Sequence, residues 1–141
     1  MSIFVIDDHP LMREAVVMLL RRLRGSATQV VELERLASVS KAIAEHGEPE
    51  LVCLDLKLPD TNGVSGVREV RQMLPDTSLI VLSASPSSDY EDLAREAGAD
   101  AYVEKSAGAA QIAKVLREFL ADERGEDENA PTIPDKLSKR Q

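Results

Sequence analysis

The sequence predicts an α/β fold, a doubly wound three-layer sandwich of five βα units on a parallel sheet ordered 2-1-3-4-5. Short apolar runs of strand type alternate with longer stretches of helical periodicity, the pattern that βα units produce. Leu51-Val52-Cys53-Leu54 and Leu79-Ile80-Val81-Leu82 are continuously apolar, as strands buried on both faces must be. Finally, the first and third runs end in carboxylates, Asp7-Asp8 and Asp55. Open α/β sheets gather their chemistry at the carboxyl ends of the strands, where the strand order reverses.

The elements follow in order. Strand one covers about Ile3–Asp7, and Pro10 then falls in the first turn of a helix, where its missing N–H costs nothing. Leu11, Ala15, Val16, Leu19, Leu20 and Leu23 keep helical spacing until Gly25 stops it. Thr28–Leu33 is a second strand whose short Val30-Val31 core and polar Glu32 suit a sheet edge. Ser38 is placed to cap a helix through Glu45, ended near Gly47. Strand three is Leu51–Asp55; a loop over 57–63 leads to a helix at about Val64–Met73. Ser78–Ser83 is strand four, and the Ser85-Pro86-Ser87-Ser88 segment opens a helix that Gly98 closes. Ala101–Glu104 is a brief fifth strand, and Ala109–Leu120 the last helix, with Ile112, Val115, Leu116, Phe119 and Leu120 inward.

A chain of 141 residues is one ordinary domain with a tail, large enough for a layered core. Its 43% hydrophobic and 30% charged residues are those of a globular protein. Only 3% are aromatic and none is Trp, which excludes the stacking platforms that hold single-stranded nucleic acid. A net charge of -8 disfavours direct binding to a nucleic acid backbone or an anionic membrane. The single cysteine, Cys53, lies in an apolar run as a small buried hydrophobe, so no disulfide framework is expected. No run of about 18 apolar residues occurs, and a cytoplasmic location is the default. The domain is expected over 1–121. From Asp122 the chain turns acidic, gains Pro131 and Pro134 and loses its apolar residues, which reads as a linker over 122–136.

Each strand-end residue has an ordinary reading: Asp7, Asp8 and Asp55 as loop-start or capping groups, Lys105 as a surface lysine, Ser83 as a helix-start residue. Together they read differently. Adjacent strands one and three bring Asp7, Asp8 and Asp55 into one crevice, a concentration of charge that requires a cation. Mg2+ suits a few carboxylates while keeping several waters. Ser83 closes strand four and Lys105 closes strand five, and a hydroxyl and an ammonium beside this cluster suit a phosphoryl group. His9 reads as a pre-helix residue without a metal role, since two histidines are too few for a zinc site.

These residues carry a resemblance. Asp7-Asp8-His9-Pro10, Asp55-Leu56-Lys57-Leu58-Pro59-Asp60, Gly63 with Gly66-Val67, Leu82-Ser83-Ala84, and Gly98 through Lys105 are similar to the receiver domain of two-component response regulators. The nearest likeness is to the NarL/FixJ/LuxR type, over about Ile3 to Leu120. The resemblance implies the flavodoxin-like, CheY-like sandwich. It implies Asp55 as phosphoacceptor from a sensor histidine kinase, and Mg2+ (with Mn2+ as a substitute) held by Asp7, Asp8, Asp55 and the Lys57 backbone carbonyl. Lys105 and Ser83 then assist, Ser83 and Tyr102 form a switch pair in which Tyr102 turns inward, and the protein is a phosphoacceptor rather than an enzyme. An ordinary half-buried aromatic is the other reading of Tyr102.

Three positions depart from the commoner pattern: Ser83 for Thr, Lys57 beside the acceptor, and Ser106 for Pro, which makes a cis bond there improbable. Leu137-Ser138-Lys139-Arg140-Gln141 is similar to the opening of a helix-turn-helix effector, implying DNA and a homodimer in the intact protein. The chain end is expected to precede a missing effector, a natural single-domain regulator being the alternative. Two rival functions stand: a pseudo-receiver scaffold, and a Mg2+-dependent phosphohydrolase of the haloacid dehalogenase type. The phosphohydrolase wants Asp-x-Asp at its first strand, which Asp7-Asp8-His9 does not supply.

Overall fold

The computed structural model describes residues 2–125. Five strands, β1 (Ser2–Ile6), β2 (Gln29–Leu33), β3 (Leu51–Leu54), β4 (Ser78–Ser83) and β5 (Ala101–Glu104), form one sheet in the order β2-β1-β3-β4-β5. Every pairing is parallel. The helices are α1 (Pro10–Arg24), α2 (Val39–His46), α3 (Ser65–Met73), α4 (Ser87–Ala97) and α5 (Ala109–Gly125), with 3-10 turns at Leu36–Ser38 and Lys105–Ala107. Fold class and strand order are those the sequence predicts.

Alternation along the strands builds two cores. Ile3, Val5, Leu51, Cys53, Ile80, Leu82, Ala101 and Val103 face α1 and α5, meeting Val16, Leu20, Ile112, Leu116 and Leu120. Phe4, Ile6, Val52, Leu54, Leu79, Val81 and Tyr102 take the other face, packed on Val39, Val67, Val70 and Ala94 of α2, α3 and α4. Strands β1 and β3 are buried at every position, whereas β2 has no fully buried residue, as suits an edge. Burial pushes the Cys53 thiol up to about 12, so it is an inert part of the core.

Helix starts differ from the sequence expectation. Ser38 makes no side-chain cap bond. Instead Asp60, in the loop after β3, accepts the Leu36 and Ala37 N–H groups at 3.0 and 2.9 Å. Partial desolvation pushes the Asp60 carboxyl up, but these N–H groups outweigh it and hold it low. No serine caps α4 either; Glu104 reaches from the end of β5 to accept the Ser87 N–H at 2.8 Å. At the far end, α5 continues past Ala121 to Gly125, into the stretch expected to open the linker. The rest of that linker and the effector-like 137–141 lie outside the described residues.

Register brings the site together. Ile6 pairs with Leu54 and Ser83 with Glu104, so the residues that follow β1, β3 and β5 emerge side by side. The opposite edge is tied by Arg71 of α3. Its guanidinium donates to the carbonyls of Gly98 (3.0 and 2.7 Å), Thr77 (2.7 Å), Leu74 (3.0 Å) and Pro75 (3.1 Å), and faces Asp100 at 3.1 Å. Gly98, at φ +125°, leaves room for that side chain; a Cβ there would lie 2.7 Å from Arg71 Cγ. Replacing the charged fork strands several half-buried carbonyls. Arg71→Met is expected to lower the unfolding free energy in urea by about 2–4 kcal/mol, and an unchanged midpoint would contradict this role.

Candidate functional site

Asp7 and Asp55 are each the first residue beyond neighbouring strands, and the backbone ladder runs one step further to hold them. The Asp7 N–H donates to Leu33 O at 2.9 Å, and the Asp55 N–H to Ile6 O at 3.0 Å. Both carboxylates are buried, 4% and 3% exposed. Lys105, just past β5, lays its ammonium between them, 2.9 Å from Asp7 Oδ2 and 3.2 Å from Asp55 Oδ2. The Lys57 N–H donates to Asp55 Oδ1 at 3.2 Å, while the Lys57 side chain is exposed. Arg13 of α1 secures the tip of β1, donating to the Asp7 carbonyl at 2.7 Å.

The carboxylates are crowded. Burial pushes Asp55 above the ordinary carboxylate range; Lys105 and the Lys57 N–H pull it down, and the Asp7 charge pushes it up again. Asp8 is half-buried, and its Oδ1 is buried without a hydrogen-bond partner. Asp7, Asp8, His9 and Asp55 each offer a ligand atom, all within 4.8 Å of one another. A hard dication fits this donor set: two buried carboxylates, and a third with a buried oxygen that accepts no hydrogen bond.

The sequence reading gives His9 no metal role; the structure sets its ring against the carboxylates. Its Nδ1 lies 3.0 Å from Asp7 Oδ1, 3.2 Å from Asp8 Oδ1 and 3.5 Å from Asp55 Oδ2. The sequence carries one signal for this: a side chain next to an acidic strand tip has few other directions to take. Glu104 and Asp60 were missed as capping groups because their partners lie 17 and 23–24 residues away.

Ser83 is fully buried, and its Oγ accepts the Ser85 N–H at 3.0 Å. The Ser85 carbonyl accepts the Tyr102 hydroxyl at 2.9 Å. Tyr102 therefore already lies inward, 8% exposed, where the sequence reading has it turn inward only on phosphorylation. Burial pushes its hydroxyl up, keeping it a donor. The described residues contain no cis peptide bond, so Ser106 follows Lys105 in trans as expected.

A five-stranded parallel sandwich with three aspartates, a lysine and a buried hydroxyl at its carboxyl edge defines a signal receiver domain. The chain belongs to the response regulator receiver domain family, whose model matches residues 3–117. It is 26% identical over 123 residues to the response regulator GacA of Pseudomonas aeruginosa, covering 87% of this chain and 56% of that protein. It is 32% identical over 138 residues to the KDP operon transcriptional regulatory protein KdpE of Escherichia coli, covering 98% and 57%. Among solved structures, a LuxR-family two-component response regulator from Aurantimonas aligns at a TM-score of 0.74 and 30% identity, covering 86% and 85%. The signal receiver domain of the response regulator NarL from Mycobacterium tuberculosis aligns at 0.69 and 30%, covering 83% and 93%. The chain thus spans about half the length of the curated relatives it matches.

The raised Asp55 pKa gives a signed prediction. The fold favours the protonated form, so this group's contribution to stability is present at low pH and is lost as pH rises through the raised value. Asp55→Asn, which leaves Lys105 paired with Asp7, is expected to melt higher than wild type at pH 7 in EDTA. The gain should shrink as the pH falls toward the ordinary carboxylate range. A less stable variant at pH 7, or a gain that grows on acidification, would contradict the electrostatics described.

Proposed function

We propose that Asp55 accepts a phosphoryl group from the phosphohistidine of a sensor histidine kinase and that the event controls a DNA-binding output in the intact protein. The observation that carries this reading is the setting of Asp55: 3% exposed, yet at the open carboxyl edge and in contact with Lys105. Structural carboxylates are seldom buried against two others; a nucleophile for a phosphoryl group needs that placement.

One Asp55 oxygen forms the new O–P bond as the P–N bond of the donor histidine breaks. The electron pair stays on the departing imidazole nitrogen, which takes up a proton. Asp55 Oδ1 is held by the Lys57 N–H and Oδ2 by Lys105, so the carboxylate is oriented before the donor arrives. Lys105 then shifts its charge toward the phosphoryl oxygens while keeping Asp7 as a partner. The Ser83 Oγ accepts from Ser85, leaving its own proton free to donate to a phosphoryl oxygen. Mg2+, or Mn2+ in its place, would be held by Asp7, Asp8, Asp55 and the Lys57 carbonyl, and supplies neutralisation of charge on the transferring group.

Ser83 and Tyr102 are the switch pair in this reading, reporting to α4 and β5. Self-phosphorylation from small donors and self-dephosphorylation are the only chemistry expected, so the domain is a switch rather than an enzyme. A cytoplasmic site and a homodimer in the intact protein complete the reading; among the described residues no helix is long and apolar enough to cross a membrane. A scaffold that never takes up phosphorus is the alternative, disfavoured by keeping three costly charges together. The phosphohydrolase reading finds no support in the family to which the chain belongs.

Intact-mass spectrometry after incubation with acetyl phosphate and Mg2+ is expected to show one added phosphoryl group, absent in Asp55→Ala and without Mg2+. Lys105→Met should slow the uptake by about a hundredfold or more. Labelling that survives loss of Asp55 would refute the assignment.

A further inference from the structure

His9 holds a position that its place ahead of a helix does not require. As the N-cap of α1 it makes no side-chain cap bond. Pro10 behind it restricts it to extended backbone, observed at φ -100° and ψ 105°. Its own N–H donates to Asp7 Oδ1 at 2.9 Å. Those two restraints turn the ring over the carboxylates, with Nδ1 facing them and the rest of the side chain 60% exposed.

The spacing is informative. Neighbouring donors on an octahedron with bonds of about 2.1 Å are about 3.0 Å apart. Nδ1 stands 3.0, 3.2 and 3.5 Å from one oxygen each of Asp7, Asp8 and Asp55; the first is a hydrogen bond in the ion-free cluster, and all three are close to the spacing of ligands that share an ion. Lys105 takes the other oxygen of Asp7, Oδ2, and shares Asp55 Oδ2 with the His9 ring. The Oδ1 atoms of Asp7 and Asp8 are therefore left toward His9, and that of Asp8 has no hydrogen-bond partner.

We propose that His9 Nδ1 is a further protein donor to the divalent ion held at this cluster, and that it biases the site toward borderline ions such as Co2+ and Ni2+ relative to Mg2+. The inference rests on the metal-dependent reading given under Proposed function. An all-oxygen set suits Mg2+; one imidazole adds affinity for the later first-row ions and little for Mg2+. Coordination uses the Nδ1 lone pair, with the ring proton on the solvent-facing Nε2.

The test uses the untagged 141-residue chain, with its two histidines His9 and His46. Calorimetric titrations with Mg2+ and with Ni2+ are run on wild type and His9→Phe, and the Mn2+-loaded wild type is examined by pulsed EPR. His9→Phe is expected to weaken Ni2+ by about tenfold or more and Mg2+ by about threefold or less. A nitrogen modulation in the Mn2+ spectrum should be present in wild type and absent in His9→Phe. Equal weakening of both ions, no nitrogen signal in wild type, or tighter Mg2+ binding once the ring is gone would overturn the proposal. The last result would make His9 a competitor for the ion's place. Those outcomes leave the phosphoacceptor reading intact; a wild type that binds no divalent ion and takes no phosphoryl group overturns both.

Discussion

Asp7 and Asp55 stand at the ends of adjacent parallel strands with Asp8 beside them, and their mutual repulsion is the constraint to which the upper edge of the sheet responds. Lys105 bridges two of the three, and the His9 ring turns toward all of them. Asp55 is nevertheless left above the ordinary carboxylate range, because burial outweighs what one ammonium returns. The fold thus carries a local destabilisation at its most buried charged point. Such a site gains from any cation or electrophile that disperses the charge, which couples ligand uptake to stability.

The rest of the edge is wired to that point through few atoms. The Ser85 residue is held at both ends, its N–H on Ser83 and its carbonyl on the Tyr102 hydroxyl, so the loop after β4 and the aromatic of β5 move together. Glu104 ends the strand that carries Tyr102, next to Lys105, and its carboxylate caps α4. A shift of Lys105 or Ser83 toward a new charge is felt at α4 through these bonds. Tyr102 lies inward with this loop, so Ser83 and Tyr102 form a coupled unit with no side chain waiting outside.

The strands and their order were legible because two central strands carry the continuous apolar runs Leu51-Val52-Cys53-Leu54 and Leu79-Ile80-Val81-Leu82 and the edge strand β2 carries none, a contrast that burial on both faces imposes. Asp7, Asp55, Ser83 and Lys105 were legible for a related reason: each is the last residue of a strand or the next one, and parallel order brings strand ends together. Caps were not legible. Asp60 and Glu104 satisfy helix N–H groups far along the chain, while the serines nearer those starts do not. The direction of the His9 ring was also hidden, since spacing places a residue but not its side-chain rotamer.

The account stands on an acidic pocket that is completed by a divalent ion and leaves Asp55 as the acceptor. A crystal structure grown with Mg2+ and beryllofluoride tests this most directly. The prediction is the ion on the Asp7, Asp8 and Asp55 carboxylates and the Lys57 carbonyl, beryllium joined to an Asp55 oxygen, and Lys105 turned to a fluorine. A pocket that stays free of both at saturating concentrations, or beryllium bound to another side chain, would contradict it.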